Sequence, residues 1–271
     1  MQTGLRQLAA LASGALALAF SLPAQKVKSQ KEAQAIMAVQ TAKTPDERIQ
    51  AIEAVLDKYA DTEFKTLLLQ MAVQTEEQKG DYAQTIFYAD RLLKADPKNP
   101  FALATLALET VNHTREFDLD KDEKLGNVEK WANEAIEDAK TMPKARADWT
   151  DEQLDAARKD FQAQGYEALG MADQVRKNYD GSVTNYKKAL TASASPQPAI
   201  LVRLAQVYAI QGKADDAIFT LDKAINNPDS TDQVKSIAQR LKDDIQKRKG
   251  AAASKPAGAP AAPAAPATQN K

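Results

Sequence analysis

An internal repeat is the feature that most constrains how this 271-residue chain can fold. When two segments are aligned at an offset of 35 residues, six positions pair by the type of their side chains. The pairs are Tyr166 with Leu201, Leu169 with Leu204, Gly170 with Ala205, Ser182 with Ala217, Tyr186 with Leu221, and Ala189 with Ala224. Small residues suit places where two helices cross closely, and large apolar residues fill the space between neighbouring helix pairs. The pattern therefore predicts helical hairpins that stack on one another.

The composition supports helices throughout. Ala and Leu dominate the 44% of apolar residues, whereas aromatic residues make up only 6%. Both are strong helix formers, and the small Ala side chain lets helices approach closely. We therefore predict an all-α fold of stacked antiparallel helical hairpins with a C-terminal capping helix.

The paired positions resemble the tetratricopeptide repeat, whose signature has the same residue types at the same spacing. In the last copy, Tyr208 and Gly212 stand where the family has a tyrosine and the turn glycine. In the copy before it, Asp173 and Lys177 take those places. The resemblance implies a tetratricopeptide-like α-solenoid of the kind found in exported bacterial proteins. The best repeats are residues 163–196 and 198–230.

Two further hairpins are predicted upstream. The segment from Leu69 to Pro97 is a looser copy, with Gly80-Asp-Tyr82 as the turn between its helices. The segment from Lys31 to Ala60 is the other. Its second helix opens with Thr44-Pro45-Asp46-Glu47, which combines an N-cap, a first-turn proline and a glutamate that reaches back to the cap.

The least regular pair lies between Pro100 and Pro143, because His113 to Asp120 exceed the short turn of a regular repeat. The next helix starts at Thr150, with Gln153 completing a capping box. About five hairpins are thus expected within a repeat domain at residues 25–249. Its capping helix, residues 231–249, carries a thin apolar stripe made of Val234, Ile237, Leu241 and Ile245.

The N-terminus has the three parts of a secretory signal. Arg6 is the only charge before Lys26, an apolar stretch runs from Leu8 to Phe20, and Ala24 follows a proline. We expect residues 1–24 to be cleaved after Ala24, leaving a periplasmic or secreted protein with no stable membrane span. The alternative is an uncleaved anchor, although the apolar stretch falls short of the roughly 20 residues that a spanning helix needs.

The C-terminus changes composition abruptly at Gly250. Residues 250–271 hold four of the twelve prolines and no aromatic or branched aliphatic side chain. A segment with so little to bury cannot offset the entropy lost on ordering, so a disordered Ala/Pro-rich tail is predicted.

The sequence lacks the common motifs of catalytic sites. There is no His-Glu-x-x-His, no phosphate-binding glycine loop, no Gly-x-Ser-x-Gly and no cysteine. The single histidine, His113, ends a predicted apolar helix, where the helix dipole favours a capping role. Lys plus Arg number 36 against 37 for Asp plus Glu, so no charge excess suggests nucleic acid. We predict a protein that is not an enzyme and needs no cofactor.

One set of acidic residues matches part of a calcium-binding pattern. Asp118, Asp120, Asp122 and Glu129 match positions 1, 3, 5 and 12 of an EF-hand-like loop. Position 6, however, is Glu123 and not the glycine that permits the sharp turn. The alternative is that Asp118 or Asp120 caps the second helix of this pair, with Glu123 as the capping-box partner of Asp120.

The resemblance also implies a peptide-binding groove lined by the first helix of each pair. In chaperone-type members of the family, a lysine and an asparagine clamp a carboxylate there; Glu167 and Val202 replace that lysine, so this mode is not expected. The mixed, mostly neutral positions suit an apolar or amphipathic segment better, although they could equally pack between helices. The candidate groove residues are Gln164, Glu167, Met171, Gln174, Ala199, Val202, Gln206 and Ala209.

The sequence thus predicts a non-catalytic interaction scaffold, exported to the cell envelope, that binds a peptide or partner protein on its concave surface. The alternative is an envelope assembly or trafficking factor for outer-membrane proteins or surface polymers.

Overall fold

The computed structural model describes residues 27–144, 148–195 and 197–253, and these residues form helices and no strand. The helices are α1 (Gln30–Thr41), α2 (Pro45–Lys58), α3 (Lys65–Lys79), α4 (Tyr82–Ala95), α5 (Pro100–Asn112), α6 (Lys121–Thr141), α7 (Asp151–Val175), α8 (Tyr179–Ala192), α9 (Pro198–Ile210), α10 (Ala214–Asn226) and α11 (Asp232–Ala253). The predicted all-α fold is confirmed.

The helices pack as hairpins that stack in chain order. Each odd-numbered helix from α1 to α9 packs against the even-numbered helix that follows it, and each pair contacts the next through adjoining helices. The first helices α5 and α7 also contact each other directly. The final helix, α11, packs on α10 and α9. This arrangement confirms the predicted stack of antiparallel hairpins with a capping helix at its C-terminal end.

Two helices begin at the capping boxes that the sequence predicts. The Thr44 hydroxyl accepts a bond from the Glu47 amide (3.1 Å), and the Glu47 carboxylate accepts one from the Thr44 amide (3.3 Å). Thr150 and Gln153 make the same reciprocal bonds at the start of α7 (3.2 and 2.9 Å). Each box satisfies two amides that have no partner within the helix.

Small residues lie where the helices of a hairpin cross. The Ser182 hydroxyl of α8 donates to the Gly170 carbonyl of α7 over 2.7 Å. A Cβ added to Gly170 would lie 2.8 Å from the Tyr186 ring, closer than real Cβ atoms approach. In the last hairpin, Ala205 and Ala217 are completely buried. The aligned small positions of the sequence are therefore points of close helix contact.

Three hairpin turns share one backbone conformation. Gly80, Lys177 and Gly212 have φ values of 71°, 62° and 75°, in the left-handed region that favours glycine. In each turn, the amide that follows donates to a carbonyl of the preceding helix over 2.8–3.1 Å, which is the Schellman pattern. These bonds join Asp81 to Glu76, Asn178 to Asp173, and Lys213 to Tyr208. Lys177 thus adopts a glycine-type conformation at the place where Gly80 and Gly212 stand in the other two turns.

The capping helix buries its predicted stripe. Val234 and Ile245 are buried, and Ile237 and Leu241 pack against the same apolar cluster. The helix runs to Ala253 and not to Lys249, because the alanines after Gly250 are strong helix formers. The predicted signal, residues 1–24, and the tail beyond residue 253 lie outside the described residues. Across the described ranges, no helix combines the length and apolarity needed to cross a membrane.

Candidate binding surfaces

Some of the predicted groove residues on α7 are buried between helices, and the others are partly accessible. Glu167 and Met171 are buried, and Met171 belongs to the apolar cluster around Tyr186. Gln174 is half-buried and accepts a bond from the Tyr186 hydroxyl over 3.1 Å. Gln164 is half-buried. On this helix, the two glutamines are the predicted residues that remain partly accessible.

The positions on α9 divide in the same way. Val202 is completely buried, and the half-buried Ala199 and Ala209 pack against the same cluster. Gln206 is half-buried, and its side-chain oxygen is buried without a hydrogen-bond partner. The packing alternative therefore holds for Glu167, Met171 and Val202. A peptide-binding role for the accessible positions stays a prediction.

A buried ion pair joins the first helices of the last two hairpins. The Arg203 guanidinium of α9 lies 3.0 Å from the Glu167 carboxylate of α7, and their side chains are only 6% and 11% exposed. Burial raises the pKa of Glu167, and the charge of Arg203 opposes that rise. Either charge alone would be costly to bury, so the pair fixes how α7 and α9 sit together. The sequence signal was the lone arginine in the apolar run Leu201-Val-Arg-Leu-Ala205.

A pair of neighbouring carboxyl groups lies between α3 and α5. The half-buried Glu77 carboxyl accepts a long hydrogen bond from the Thr105 hydroxyl (3.5 Å). Burial, and then the nearby Glu109 carboxylate, raise the pKa of Glu77 to about 7. Burial likewise raises the pKa of Glu109, and His113 opposes that rise. These two helices therefore hold two carboxyl groups in surroundings that disfavour their ionisation.

His113 caps α5, as the sequence predicts. Its backbone amide donates to the Glu109 carbonyl over 3.2 Å, and its Nδ1 lies 2.9 Å from the same oxygen. The imidazole stacks on the Tyr82 ring, with centroids 3.9 Å apart and an interplanar angle of 22°. The histidine thus joins the end of α5 to the start of α4.

The insert, residues 113–120, is held at both ends and exposes two apolar side chains. The Asp118 carboxylate accepts a bond from the Arg115 amide (2.9 Å), and the Lys121 amide donates to the Asp118 carbonyl (3.2 Å). Phe117 and Leu119 have relative exposures of 87% and 107%, the highest among the large apolar side chains of the described residues. The insert is therefore an ordered loop with an apolar tip.

The four carboxylates of the calcium-like pattern have cationic neighbours. The pairs are Asp118 and Asp120 with Lys124, Asp122 with Lys121, and Glu129 with Arg176, at 3.0–3.7 Å. Within the described ranges, no three acidic or histidine side chains gather in a way that could hold a metal ion. The predicted capping box is wrong. Asp120 stands at the N-cap of α6, but its side chain accepts no helix amide, and the Lys124 ammonium lies 3.0 Å away.

A shallow cleft lies between α7 and α8, and no sequence pattern indicated it. Its volume is about 550 Å³. The Lys188 ammonium lies 5.5 Å from the Tyr166 ring centroid, and that of Lys187 lies 5.8 Å from the Tyr208 centroid. The cleft thus combines an aromatic wall with a basic rim. Its lining residues are Gln162, Tyr166, Thr184, Lys187, Lys188, Thr191 and Ala192.

Comparison with known proteins gives no family. No family model matches the chain, and no curated protein matches it. Among solved structures, one similar chain is described as "Assembly Chaperone of RpL4 (Acl4) (Residues 1-338)". The two share 10% sequence identity and a TM-score of 0.40, over 83% of this chain and 99% of that one. A similarity at this level says nothing about the function of this chain.

Proposed function

We propose that this protein is a non-catalytic scaffold of the tetratricopeptide type, exported to the cell envelope, that binds an extended peptide or a segment of a partner protein along α7 and α9. The observation that carries the proposal is the Gln206 side-chain oxygen, which is buried without a hydrogen-bond partner. A buried acceptor left unpaired costs about 1–3 kcal/mol. Because the residue as a whole is only half-buried, a rotation of its side chain would bring this oxygen to the surface, where a peptide N–H group from an extended ligand would supply the missing donor.

The neighbouring positions suit the same kind of ligand. Gln164 and Gln174 offer amide groups on α7, and the side-chain oxygen of Gln174 is already occupied by the Tyr186 hydroxyl. Ala209, half-buried on α9, is a small side chain beside them. Amide groups beside small side chains match a peptide backbone with small or apolar side chains. The buried Glu167–Arg203 pair holds the two helices in one arrangement, so little ordering would be needed on binding.

The peptide-binding part of the proposal can be tested without knowing the natural partner. Random peptides displayed on phage are selected on the mature chain, residues 25–271, and an enriched peptide is labelled for fluorescence anisotropy. Gln206→Leu should weaken its binding by about 5–10-fold, because the hydrogen bond to the side-chain oxygen is lost.

Gln50→Leu is the matched control, because Gln50 is exposed on the second helix α2. It should leave the affinity unchanged. If both variants bind the peptide as the wild type does, or if no peptide is enriched, the proposed groove is refuted.

Export is tested separately. The full chain is expressed in a Gram-negative host, and the N-terminus of the protein recovered from the periplasmic fraction is sequenced. The proposal predicts a mature N-terminus at Gln25, because general secretion cleaves after a small residue such as Ala24. Recovery of the intact N-terminus in the membrane fraction would support the uncleaved anchor.

A further inference from the structure

The first helices of neighbouring hairpins meet in three different ways. Helices α5 and α7 pack directly against each other. Helices α7 and α9 are joined by opposite charges, because the Arg203 guanidinium lies 3.0 Å from the Glu167 carboxylate. Helices α3 and α5 instead bring together two carboxyl groups, Glu77 and Glu109, which repel each other when both are ionised. Of these three contacts, ionisation weakens the one between the second hairpin (α3–α4) and the third (α5–α6).

Only weak polar contacts hold the two carboxyl groups. The Thr105 hydroxyl donates to the Glu77 carboxyl over 3.5 Å, at the long limit of a hydrogen bond. The Glu109 carboxyl lies 3.7 Å from Nδ1 of His113, whose ring stacks on Tyr82 at the start of α4. Within the described ranges, neither carboxyl has a lysine or arginine as an ion-pair partner. A negative charge on Glu77 therefore has a carboxyl group, and not a cation, as its charged neighbour.

Basic side chains on the surrounding helices pair with other carboxylates. On α3 itself, the Lys79 ammonium lies 3.0 Å from Glu76 and 2.9 Å from Asp46 of α2. On α6, the Lys124 ammonium lies 3.0 Å from the Asp120 carboxylate. These cations are thus already neutralised by carboxylates other than Glu77 and Glu109. The same holds on α4 and α7, where the pairs are Arg91–Glu53 and Arg176–Glu129.

Apolar packing holds the second and third hairpins together beside the carboxyl pair. Ala102 and Leu106 of α5 are buried in an apolar cluster built mainly from α1 to α4. Ala107 and Val111 of the same helix belong to the next cluster, which continues to α9. The boundary between the two clusters therefore runs along α5. Opening the stack at this boundary would expose Ala102 while Ala107 stays buried.

We infer that this contact is a proton-controlled joint, at which the second and third hairpins separate locally when Glu77 loses its proton. In the closed stack, burial and the Glu109 carboxyl raise the pKa of Glu77 to about 7. In the open stack the carboxyl is solvated, and its pKa returns to the ordinary value of 4.5. The closed stack therefore has its full stability below pH 4.5 and loses part of it as the pH rises through about 7.

Opening at the joint changes how α1–α4 are set against the rest of the stack. A repeat stack is held by contacts between neighbours, so one contact can open while the others stay closed. The peptide-binding positions proposed on α7 and α9 lie together on one side of the joint. The inference is therefore independent of the proposed binding site.

Thiol labelling tests the inference, because the chain contains no cysteine and a single introduced thiol is unique. Ala102 is completely buried, so Ala102→Cys reacts with a disulfide reagent only in molecules that have opened. The labelling rate, divided by the rate of the unfolded chain at the same pH, gives the opening constant. This constant should rise about 10–50-fold from pH 5 to pH 8, the partial exposure of Glu77 being allowed for. With Glu77→Gln added, it should no longer depend on pH.

Ala107→Cys is the matched control, because Ala107 is equally buried on the same helix but on the other side of the boundary. At pH 8 its opening constant should be smaller than that of Ala102→Cys. Leu106→Cys is a second probe of the joint and should behave as Ala102→Cys does. Circular dichroism checks that each variant keeps the wild-type helix content.

Three results would each overturn the inference. Equal opening constants at positions 102 and 107 at pH 8 would mean that α5 is exposed only by unfolding of the whole stack. An opening constant at position 102 that is the same at pH 5 and pH 8 would exclude control by a proton. A rise that persists in the Glu77→Gln background would assign the proton to another group.

Discussion

The half-buried Glu77 carboxyl should give the fold a stability that depends on pH, and one substitution should remove that dependence. Glu77 of α3 accepts one long bond from Thr105, and Glu109 is the like charge beside it. Burial and this repulsion raise the pKa from 4.5 to about 7. The folded state thus holds the proton more tightly than the unfolded chain does. The stability that this proton contributes is fully present below pH 4.5 and is lost as the pH rises through about 7.

The size of the effect follows from the shift. One pKa unit corresponds to 1.36 kcal/mol, so the upper bound is about 3 kcal/mol. The partial exposure of Glu77 lowers the expected value to about 1–3 kcal/mol. Glutamine has the same shape and keeps an acceptor for Thr105, but it never ionises. Glu77→Gln should therefore match the wild type near pH 4.5 and be more stable by this amount near pH 8.

Urea unfolding followed by circular dichroism, repeated across this pH range, measures the difference in the free energy of unfolding. Gln50→Leu is the control, because Gln50 is exposed on α2 and neither side chain ionises, so its difference from the wild type should not change with pH. A Glu77→Gln difference that is independent of pH would refute the electrostatic reasoning.

The turns, crossings and buried pair give three further predictions, each measured by thermal melting. Lys177→Gly should raise the melting temperature by about 2 °C, because glycine adopts the left-handed φ without strain; a lower value would contradict this account of the turn. Gly170→Ala should destabilise by about 1–3 kcal/mol through contact with the Tyr186 ring, whereas Gly126→Ala, which meets no atom within 4 Å, should stabilise by about 0.5–1 kcal/mol. Arg203→Met should lower the free energy of unfolding by about 3–5 kcal/mol, because it leaves Glu167 buried without a partner. Adding Glu167→Met should restore most of that stability. Equal melting temperatures of the single and double variants would exclude the pairing.

The fold was predictable where its determinants are local. The capping boxes at Thr44 and Thr150 depend on residues three positions apart, and helical periodicity needs only a short window. The small residues at Gly170 and Ser182 were recognisable because they recur at the repeat offset. Such signals fix which segments are helices and which faces of a hairpin meet.

The contacts between hairpins were not predictable in the same way. Glu167 and Arg203 are 36 positions apart, and their pairing depends on how one hairpin is rotated against the next. The juxtaposition of Glu77 and Glu109 has the same origin. The repeat register identified Glu167 as a groove position, but a register cannot show which partner its side chain finds. Three candidate groove residues are consequently buried.

The insert shows a third limit. Its length was evident from the sequence, but the outward direction of Phe117 and Leu119 was not, because an irregular loop has no periodicity from which to infer a buried face. The predicted cap at Asp120 was wrong because a pattern of capping residues does not reveal competing ion pairs. Lys124, one turn along α6, lies within 3.0 Å of that carboxylate.

The most direct test of the proposed binding site follows the side-chain amides of glutamine by nuclear magnetic resonance. The mature chain, labelled with ¹⁵N, is titrated with a peptide selected on it, and the side-chain NH₂ signals are assigned by single Gln→Leu variants. Binding along α7 and α9 predicts that the signals of Gln164, Gln174 and Gln206 shift together and saturate at one peptide per chain. Shifts confined to glutamines on other helices, with these three unmoved, would contradict the proposed site.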